Sequence, residues 1–418
     1  MFHFKLKVTS SLIFILFAQL ISFLIWVEMG FYFSCVVFLT FSVLCLLDIV
    51  TLLINFLMLK KIEIKRDVHD KFIEGDSIDL KLLIKNKGGF PFANVEIHDY
   101  LPWAENDSKV VFFAEWLRKG DTLVREHSST CMYRGKYTLN RINLIVRGIV
   151  GFVFIEKAVD INNVVYVYPE TFFIARIPPL VKGYLPWFGL DTISSGGDDD
   201  EFFGLREYKK GDSLKRIHWF SVARKNRLVV KEFQKCAFYQ ASLVFVLHKS
   251  YKQDKSRDNI VEYIIKMAAS LTRYFIQNNI CVELLAHTGK LAIFYPSNKG
   301  GEYMDELFKF YSEAQAESRL TLKDFLSEYY NLLPYRSTVF VLMTEKEIDD
   351  IAGFLHLKDK DIEIIAIVFL TYSFYYNLEG HENLTLKERV ASKLSALGVR
   401  AFVCVRGDNL GNLFLSAR

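Results

Sequence analysis

The sequence predicts a multidomain chain with a two-helix transmembrane hairpin, an antiparallel β-sandwich and a doubly wound α/β domain. Three observations predict it: two long apolar runs near the N-terminus, an apolar period of two after them, and then buried strands alternating with amphipathic helices. A length of 418 residues also favours two or three domains over one. The expected boundaries are 1–61 for the hairpin, 62–176 for the sandwich, 177–241 for a linker with a charged motif, and 242–418 for the α/β domain.

Two apolar runs predict the hairpin. Residues 10–27 carry no charge, and residues 31–59 carry only Asp48. About 20 helical residues cross a hydrocarbon core, so both runs are long enough to span it. A cleaved signal peptide, with Lys5 and Lys7 as its basic region, is the alternative. It is disfavoured because no small-residue cleavage site follows and a second span comes at once.

Basic residues flank the outer ends of the two spans, whereas the link between them carries only Glu28. The flanking residues are His3, Lys5, Lys7, Lys60, Lys61, Lys65 and Arg66. The positive-inside rule therefore predicts that both termini are cytoplasmic. Asp48 and Asn55 are seven residues apart and share a helical face. We expect them to pack against the first helix or another copy, because two spans cannot enclose a transport pathway.

Charge and cysteine usage exclude several classes of protein. A net charge of +4 is too small for a dedicated nucleic-acid-binding protein, so no nucleic-acid partner is expected. The six cysteines show no C-x-x-C spacing. They predict reduced thiols in the cytoplasm, and neither a disulfide framework nor a zinc site.

Alternating apolar and polar residues predict the sandwich. The pattern is clear in 77–85 and 94–98, and turn residues such as those at 86–89 separate the runs. About seven short strands over this length are typical of an immunoglobulin-like sandwich. Glu96 and His98 share one face while Asp99 points to the other, so we expect them to cover the sheet and not to form a catalytic group.

The α/β domain is predicted from residue 242 onward. Residues 242–247 form the near-continuous apolar run of a strand buried on both faces, and residues 258–277 form an amphipathic helix. Ligands bind at the carboxyl ends of such parallel strands, which makes the loop after Leu247 the first place to look for chemistry. The preceding linker contains the aromatic segment 184–188, which suits either a membrane interface or packing between domains.

A charged motif interleaved with aromatic residues lies between the linker and the first α/β strand. Its fixed positions are Gly204, Leu205, Arg206, Tyr208, Gly211, Asp212, Lys215, Ile217, Trp219, Ala223, Arg224, Lys231 and Phe233. This order resembles the signature of the prokaryotic domain-of-unknown-function 58 (DUF 58) family. The resemblance implies two N-terminal spans, a β-sandwich and a von Willebrand factor A-like domain over nearly the whole chain. It also implies a bacterial inner membrane. Lys215 departs from the family's usual Arg, and Phe220 stands at an often polar position.

The resemblance further implies a metal site that this sequence has lost. Metal-binding von Willebrand factor A domains end their first strand with D-x-S-x-S, whereas this chain has His248, Ser250 and Lys252 at those three positions. Thr344 and Glu345 remain as candidate late ligands. Imidazole and ammonium groups are poor ligands for hard cations, so we expect no metal and no cofactor. A further expectation is that Lys252 pairs with Glu345 in place of the metal.

Two roles remain open for the motif. Its apolar residues, among them Ile217, Trp219 and Leu228, can anchor a junction between the sandwich and the α/β domain. The charged residues that could form a buried ion-pair network at that junction are Arg206, Glu207, Asp212 and Arg224. Alternatively, the motif binds a partner. An acid/base pair of Asp212 and His218 is the enzymatic interpretation, and the acidic run 198–201 is more typical of a solvated loop.

The leading functional hypothesis is a non-catalytic, membrane-anchored cytoplasmic adaptor or assembly protein, held in the lipid bilayer by residues 10–59. The resemblance implies a MoxR-type AAA+ ATPase or other von Willebrand A-type proteins as partners. The alternatives are a divalent-metal-dependent protein-ligand binding module and an uncharacterised hydrolase. No residue is assigned a catalytic role, because no phosphate-binding glycine loop, metalloprotease helix or nucleophile elbow is present. The client and the oligomeric state stay open.

Overall fold

The computed structural model describes residues 4–415 apart from ten short gaps. The gaps are 104–108, 182–201, 209–216, 226, 234–239, 252–255, 351–353, 355–356, 359 and 376–379. The chain divides into two compact units. One comprises Met1–Glu170 with Leu307–Ala314, and the other comprises Thr171–Glu306 with Gln315–Arg418.

The first unit joins two long helices to two β-sheets. Helix α1 spans Ser10–Met29 and helix α2 spans Tyr32–Met58. Both are long and apolar enough to cross a membrane by length and composition, as the sequence predicts. The strands are β1 (Phe4–Val8), β2 (Ile62–Asp67), β3 (Lys71–Ile73), β4 (Ser77–Asn86), β5 (Phe92–Tyr100), β6 (Lys109–Leu117), β7 (Thr122–Thr130), β8 (Gly135–Arg147) and β9 (Val153–Tyr168).

One sheet of this unit has the order β1-β9-β8-β5-β6 with β3 also paired to β9, and the other has the order β2-β4-β7. Alternation along β4 buries Ile78, Leu80, Leu82 and Ile84 and leaves their polar neighbours at the surface. A period of two is what a sheet with one buried face requires. Strand β1, which the sequence did not reveal, pairs antiparallel with β9, so both ends of the helical hairpin join the sheets.

Arg66 lies inside the sandwich and is not a charge flanking the membrane span. Its Nε donates to Asp99 Oδ2 at 3.2 Å, and its Nη1 donates to the carbonyl of Leu139 at 3.0 Å. The side chains of Arg66 and Asp99 are 0% and 2% exposed. The expectation that Asp99 turns away from Glu96 and His98 is confirmed, because Glu96 lies within 3.4 Å of His98 on the other face.

The second unit is built on a six-stranded sheet. Its strands are β12 (Gln240–Val246), β13 (Cys281–His287), β14 (Ala292–Asn298), β15 (Thr338–Thr344), β16 (Glu363–Phe369) and β17 (Arg400–Cys404). The strand order is β14-β13-β12-β15-β16-β17, and only the β13–β14 pair is antiparallel. The chain therefore starts in the middle of the sheet and builds outward in both directions, with a switch point between β12 and β15.

Helices connect these strands. They are α4 (Ile260–Gln277), α5 (Gly301–Glu313), α6 (Leu322–Tyr329), α7 (Thr371–Tyr375) and α8 (Gly380–Ala396). Two of them start at side-chain caps. Asn259 accepts the N–H of Glu262 before α4, and Thr321 accepts the N–H of Asp324 before α6. A 3₁₀ helix over Glu345–Asp350 follows β15.

Candidate functional site

The switch point of the α/β sheet is the first candidate site, because ligands of open α/β sheets bind outside the carboxyl ends of the strands. Three strand ends meet there. Strand β12 leads through His248 into a 3₁₀ turn over Lys249–Tyr251, β15 leads into Glu345–Asp350, and β16 leads into α7.

Three side chains lie together at the carboxyl ends of β12 and β15. The buried Tyr251 hydroxyl shares a hydrogen bond of 3.0 Å with Thr344 Oγ1. Glu347 Oε2 accepts the Thr344 N–H at 2.8 Å and the Thr344 hydroxyl at 3.3 Å. Burial of the Glu347 carboxyl raises its pKa to about 7, and burial together with this neighbouring carboxylate raises the pKa of Tyr251. The hydroxyl and carboxyl groups of this cluster bond to one another.

The next pair of strand ends is joined by Glu345. Its Oε2 accepts the Thr371 N–H at 2.6 Å, and its Oε1 accepts the Thr371 hydroxyl. The sequence predicts a pairing of Glu345 with Lys252. The partner of Glu345 is the buried Thr371 just after β16, which no local pattern indicates, and Lys252 lies outside the described residues.

His248 and Ser250 form a local turn just after β12. The His248 Nδ1 lies 2.7 Å from Ser250 Oγ, and the Ser250 N–H donates to the same nitrogen at 3.2 Å. Burial, with the neighbouring Lys249, lowers the pKa of His248. Hard cations need several free oxygen ligands, but the oxygens of Glu345 and Glu347 are engaged within the protein. The described residues at this position do not fit a divalent cation.

The charged motif folds into a two-stranded hairpin with a short helix. Strands β10 (Phe202–Glu207) and β11 (Val229–Phe233) pair antiparallel, and α3 (Trp219–Lys225) lies between them in sequence. Gly204, Leu205 and Arg206 are on β10; Tyr208 follows it; Ala223 and Arg224 are on α3; Lys231 and Phe233 are on β11. Ile217 bridges to Val230, and both are buried. Gly211, Asp212 and Lys215 lie outside the described residues.

Several motif residues expected to be buried are at the surface. Trp219 is 66% exposed and Leu228 is 44% exposed, so neither is an apolar anchor of the kind that Ile217 provides. Phe220 is 72% exposed. Glu207 accepts from Arg227 in a surface ion pair and not in a buried network. The motif hairpin therefore presents aromatic side chains to its surroundings.

Imidazole–hydroxyl pairs bear on the hydrolase interpretation. His218 Nδ1 lies 2.7 Å from Ser221 Oγ and accepts the Ser221 N–H at 3.3 Å, which is the geometry of a cap on α3. A second pair, missed in the sequence, joins His287 Nδ1 to Ser318 Oγ at 2.7 Å. Ser318 is fully buried, so its hydroxyl has no access to a substrate. Both pairs fix local structure.

The junction between α2 and the sandwich is a second candidate site, built around one buried carboxylate. Asp48 Oδ1 accepts the N–H groups of Val150 and Gly151 at 2.9 and 3.0 Å. Its Oδ2 accepts those of Phe152 and Val153 at 2.9 and 3.0 Å. Asp48 is 1% exposed. The sequence identified this residue as a packing group, but its partner is the β8–β9 turn and not the first helix or another copy.

Two further polar contacts join α2 to the sandwich. The Asn55 side-chain amide donates to the Arg147 carbonyl at 3.3 Å, and the buried Lys157 ammonium donates to the Leu59 carbonyl at the end of α2 at 2.8 Å. Burial and the neighbouring Lys60 lower the pKa of Lys157. A cation is favourable at a helix C-terminus. Leu52 and Leu59 complete the junction by packing into the sandwich core.

A protein-family model matches the segment that contains the motif. The model described as "Protein of unknown function DUF58" matches residues 204–371. A protein of Bacillus subtilis (strain 168), "Uncharacterized protein YeaD", is 20% identical over 295 residues, which cover 68% of this chain and 69% of that protein. The family match thus spans the motif hairpin and the β12–β16 part of the sheet.

Solved structures resemble parts of the chain at low identity. The CARDB domain of a Pyrococcus furiosus protein is 16% identical, with a TM-score of 0.19, and the match covers 25% of this chain and 86% of that one. The PKD domain of an M14-like peptidase from a Thermoplasmatales archaeon is 13% identical, with a TM-score of 0.16, and covers 25% of this chain and 91% of that one. These neighbours are immunoglobulin-like domains.

Proposed function

We propose that this chain is a membrane-anchored, non-catalytic adaptor that binds a protein partner through its charged motif. The observation that carries the proposal is the exposure of Trp219 and Phe220, at 66% and 72% of their side chains. Aromatic residues are enriched in the cores of protein interfaces, and adjacent exposed ones are uncommon on a surface that binds nothing.

The junction of α2 with the sandwich supports the anchoring half of the proposal. Asp48 fixes the helix to the β8–β9 turn, so the sandwich is held to the two apolar helices rather than on a loose tether. By the positive-inside rule the soluble parts face the cytoplasm, and the family resemblance implies a bacterial inner membrane.

The von Willebrand factor A-like relationship is part of the same proposal. It is supported by the mostly parallel sheet and by its switch point, where Ser250 and Thr344 lie at the ends of neighbouring strands. The Tyr251–Thr344–Glu347 cluster lies at the strand ends where the family resemblance would put the ion of a metal-binding relative. We therefore favour direct protein contact over a metal-dependent ligand module.

A MoxR-type AAA+ ATPase is the partner that the family resemblance suggests. The test is co-expression of the full chain with the MoxR-type ATPase of the same genome, followed by copurification from detergent-solubilised membranes. We expect the ATPase to copurify with the native chain and to be lost from the double variant Trp219→Ala, Phe220→Ala. The matched control is Leu291→Ala with Tyr335→Ala, two residues that are similarly exposed outside the motif.

The outcomes separate the parts of the proposal. If the native chain does not retain the ATPase, the ATPase is not its partner. If the Trp219/Phe220 variant and the control retain the ATPase equally, the motif is not the binding surface. Micromolar Mg²⁺ or Mn²⁺ binding in calorimetry would restore the metal-dependent alternative.

A further inference from the structure

Helix α2 is longer than one membrane crossing. Its 27 residues extend about 40 Å at 1.5 Å per residue, against a hydrocarbon core of about 30 Å. Asp48 lies sixteen residues after the first residue of the helix, about 25 Å along it. The last three turns of α2, beyond Asp48, therefore run past the point where the β8–β9 turn is attached.

These last turns have one face against the sandwich and another face that is apolar and uncovered. The face toward the sandwich carries Asp48, Leu52, Asn55 and Leu59, all of them buried. The uncovered face carries Ile49, Val50, Leu53, Ile54 and Leu57, all of them exposed. A helix with water on its outer face carries polar residues there, so this face is suited to an apolar surrounding.

The β8–β9 turn beside Asp48 has the same character. Its tip residues Ile149 and Val150 are 57% and 37% exposed. Every backbone N–H from Gly148 to Val153 has an acceptor. Asp48 takes four of them, Thr51 Oγ1 accepts that of Ile149 at 3.4 Å, and the Val153 carbonyl accepts that of Gly148 at 3.1 Å.

A fully bonded turn matters in an apolar medium. Turns at a protein surface normally leave N–H groups to water, and each such group left unbonded in hydrocarbon costs several kcal/mol. A carboxylate from the adjacent helix removes that cost for this turn. The apolar tip and the bonded backbone are two independent features that suit the same surrounding.

Basic side chains lie at the same end of the sandwich. Strand β5 pairs Val95 with Val146 of β8 and Phe92 with Leu117 of β6. This register places the β4–β5 loop, the β6–β7 turn and the β8–β9 turn at the same end of the sandwich. The exposed charged side chains near this end include the cations Lys60, Lys61, Lys87, Arg118 and Lys119 and one carboxylate, that of Asp121. Cations beside an apolar surface are complementary to the anionic headgroups of a bilayer.

We propose that this end of the sandwich is a lipid-binding surface that rests in the bilayer interface. Ile149, Val150 and the outer face of α2 from Ile49 to Leu57 enter the acyl boundary, and the neighbouring cations contact lipid phosphates. The bilayer is the occupant because the surface is continuous with the two helices that are apolar enough to cross it. The inference rests on the membrane anchoring proposed above and adds a third contact, which fixes the orientation of the sandwich.

The test is photo-crosslinking in vesicles of phosphatidylethanolamine and phosphatidylglycerol with the full chain reconstituted. A benzophenone amino acid replaces Val150 or Leu53, and the matched control position is Phe113, which is 62% exposed on β6 of the same unit. We expect about tenfold more lipid adduct at Val150 and Leu53 than at Phe113, because the acyl boundary is reached only by the first two.

Each other result overturns the proposal or part of it. Lipid adduct at Val150 no higher than at Phe113 contradicts a turn that rests in the bilayer. Chain-to-chain adducts at Leu53 in place of lipid adducts assign the surface to a second copy. If the yield of lipid adduct is unchanged when phosphatidylcholine replaces phosphatidylglycerol, the cations do not contribute to lipid binding. Release of the chain by alkaline carbonate is a separate result, because it contradicts the membrane anchoring itself.

Discussion

Asp48 and Glu347 are both carboxylic acids enclosed by the fold, and they are enclosed in different ways. Asp48 accepts four backbone N–H groups from a single turn. Glu347 accepts one backbone N–H and lies with the hydroxyls of Thr344 and Tyr251, and its burial raises its pKa to about 7. One acid therefore fixes a helix to a sheet through many donors, whereas the other is held by few donors in a buried place that raises its pKa.

Removal of the Asp48 carboxylate should produce the largest effect. Asp48→Ala leaves four turn N–H groups without their acceptor, and we expect a loss of about 4 kcal/mol in the free energy of unfolding of the first unit. Asp48→Asn, which keeps one acceptor oxygen, should lose less. The measurement is denaturant unfolding of the detergent-solubilised chain.

Thr51→Ala is the control for this prediction, because Thr51 touches the same turn through a single long hydrogen bond. We expect a change in unfolding free energy below about 0.5 kcal/mol. Equal destabilisation by Asp48→Ala and Thr51→Ala would show that the carboxylate does not hold the turn.

Glu347 should make the stability of the second unit depend on pH. Its folded pKa, about 7, lies above the value of 4.5 for an unperturbed Glu. The folded state therefore holds a proton that the unfolded chain releases, and this stabilisation is complete below pH 4.5 and is lost as the pH rises through 7. The upper bound is about 3 kcal/mol.

Glu347→Gln should reduce the dependence of the unfolding free energy on pH and stabilise the unit at pH 8 relative to the native chain. The measurement is the unfolding free energy of both chains at several pH values between 5 and 8. Glu283 is the matched control, because burial raises its pKa to about 7 as well. Glu283→Gln should remove the contribution of Glu283 to the pH dependence and leave that of Glu347. An unchanged profile in Glu347→Gln would mean that this carboxyl is ionised in the folded protein.

Tyr251→Phe should have the smallest effect. It removes the hydroxyl that bonds to Thr344 and keeps the buried ring, so the expected loss is about 1 kcal/mol. The same unfolding measurement at pH 6 checks it. A loss as large as that in Asp48→Ala would mean that the strand-end cluster and the helix junction do not differ as described.

The sequence predicted most of the architecture because its signals are periodic. Charge-free runs near residues 10–27, alternation in 77–85 and the buried run 242–247 each depend on local pattern. Strand β1 was not predicted because residues 4–8 are short and obtain their partner from β9, more than a hundred residues away.

The sites were less predictable because their partners come from tertiary structure. Asp48 was recognised as unusual from its apolar surroundings, but nothing local indicates the turn at 148–153. Arg66 was taken for a flanking charge, although Asp99 and the Leu139 carbonyl bury it. Glu345 was paired with a nearby cation, whereas the strand order brings Thr371 beside it. Exposure of Trp219 depends on how the motif hairpin folds, which its signature does not encode.

Asp48 joins the apolar helical hairpin and the sandwich through the β8–β9 turn. Hydrogen exchange of the Val150–Val153 amides, measured on the full chain in vesicles, tests it most directly. We expect slow exchange of these amides in the native chain and fast exchange in Asp48→Ala, with the β4 amides protected in both. Fast exchange of these four amides in the native chain would contradict it.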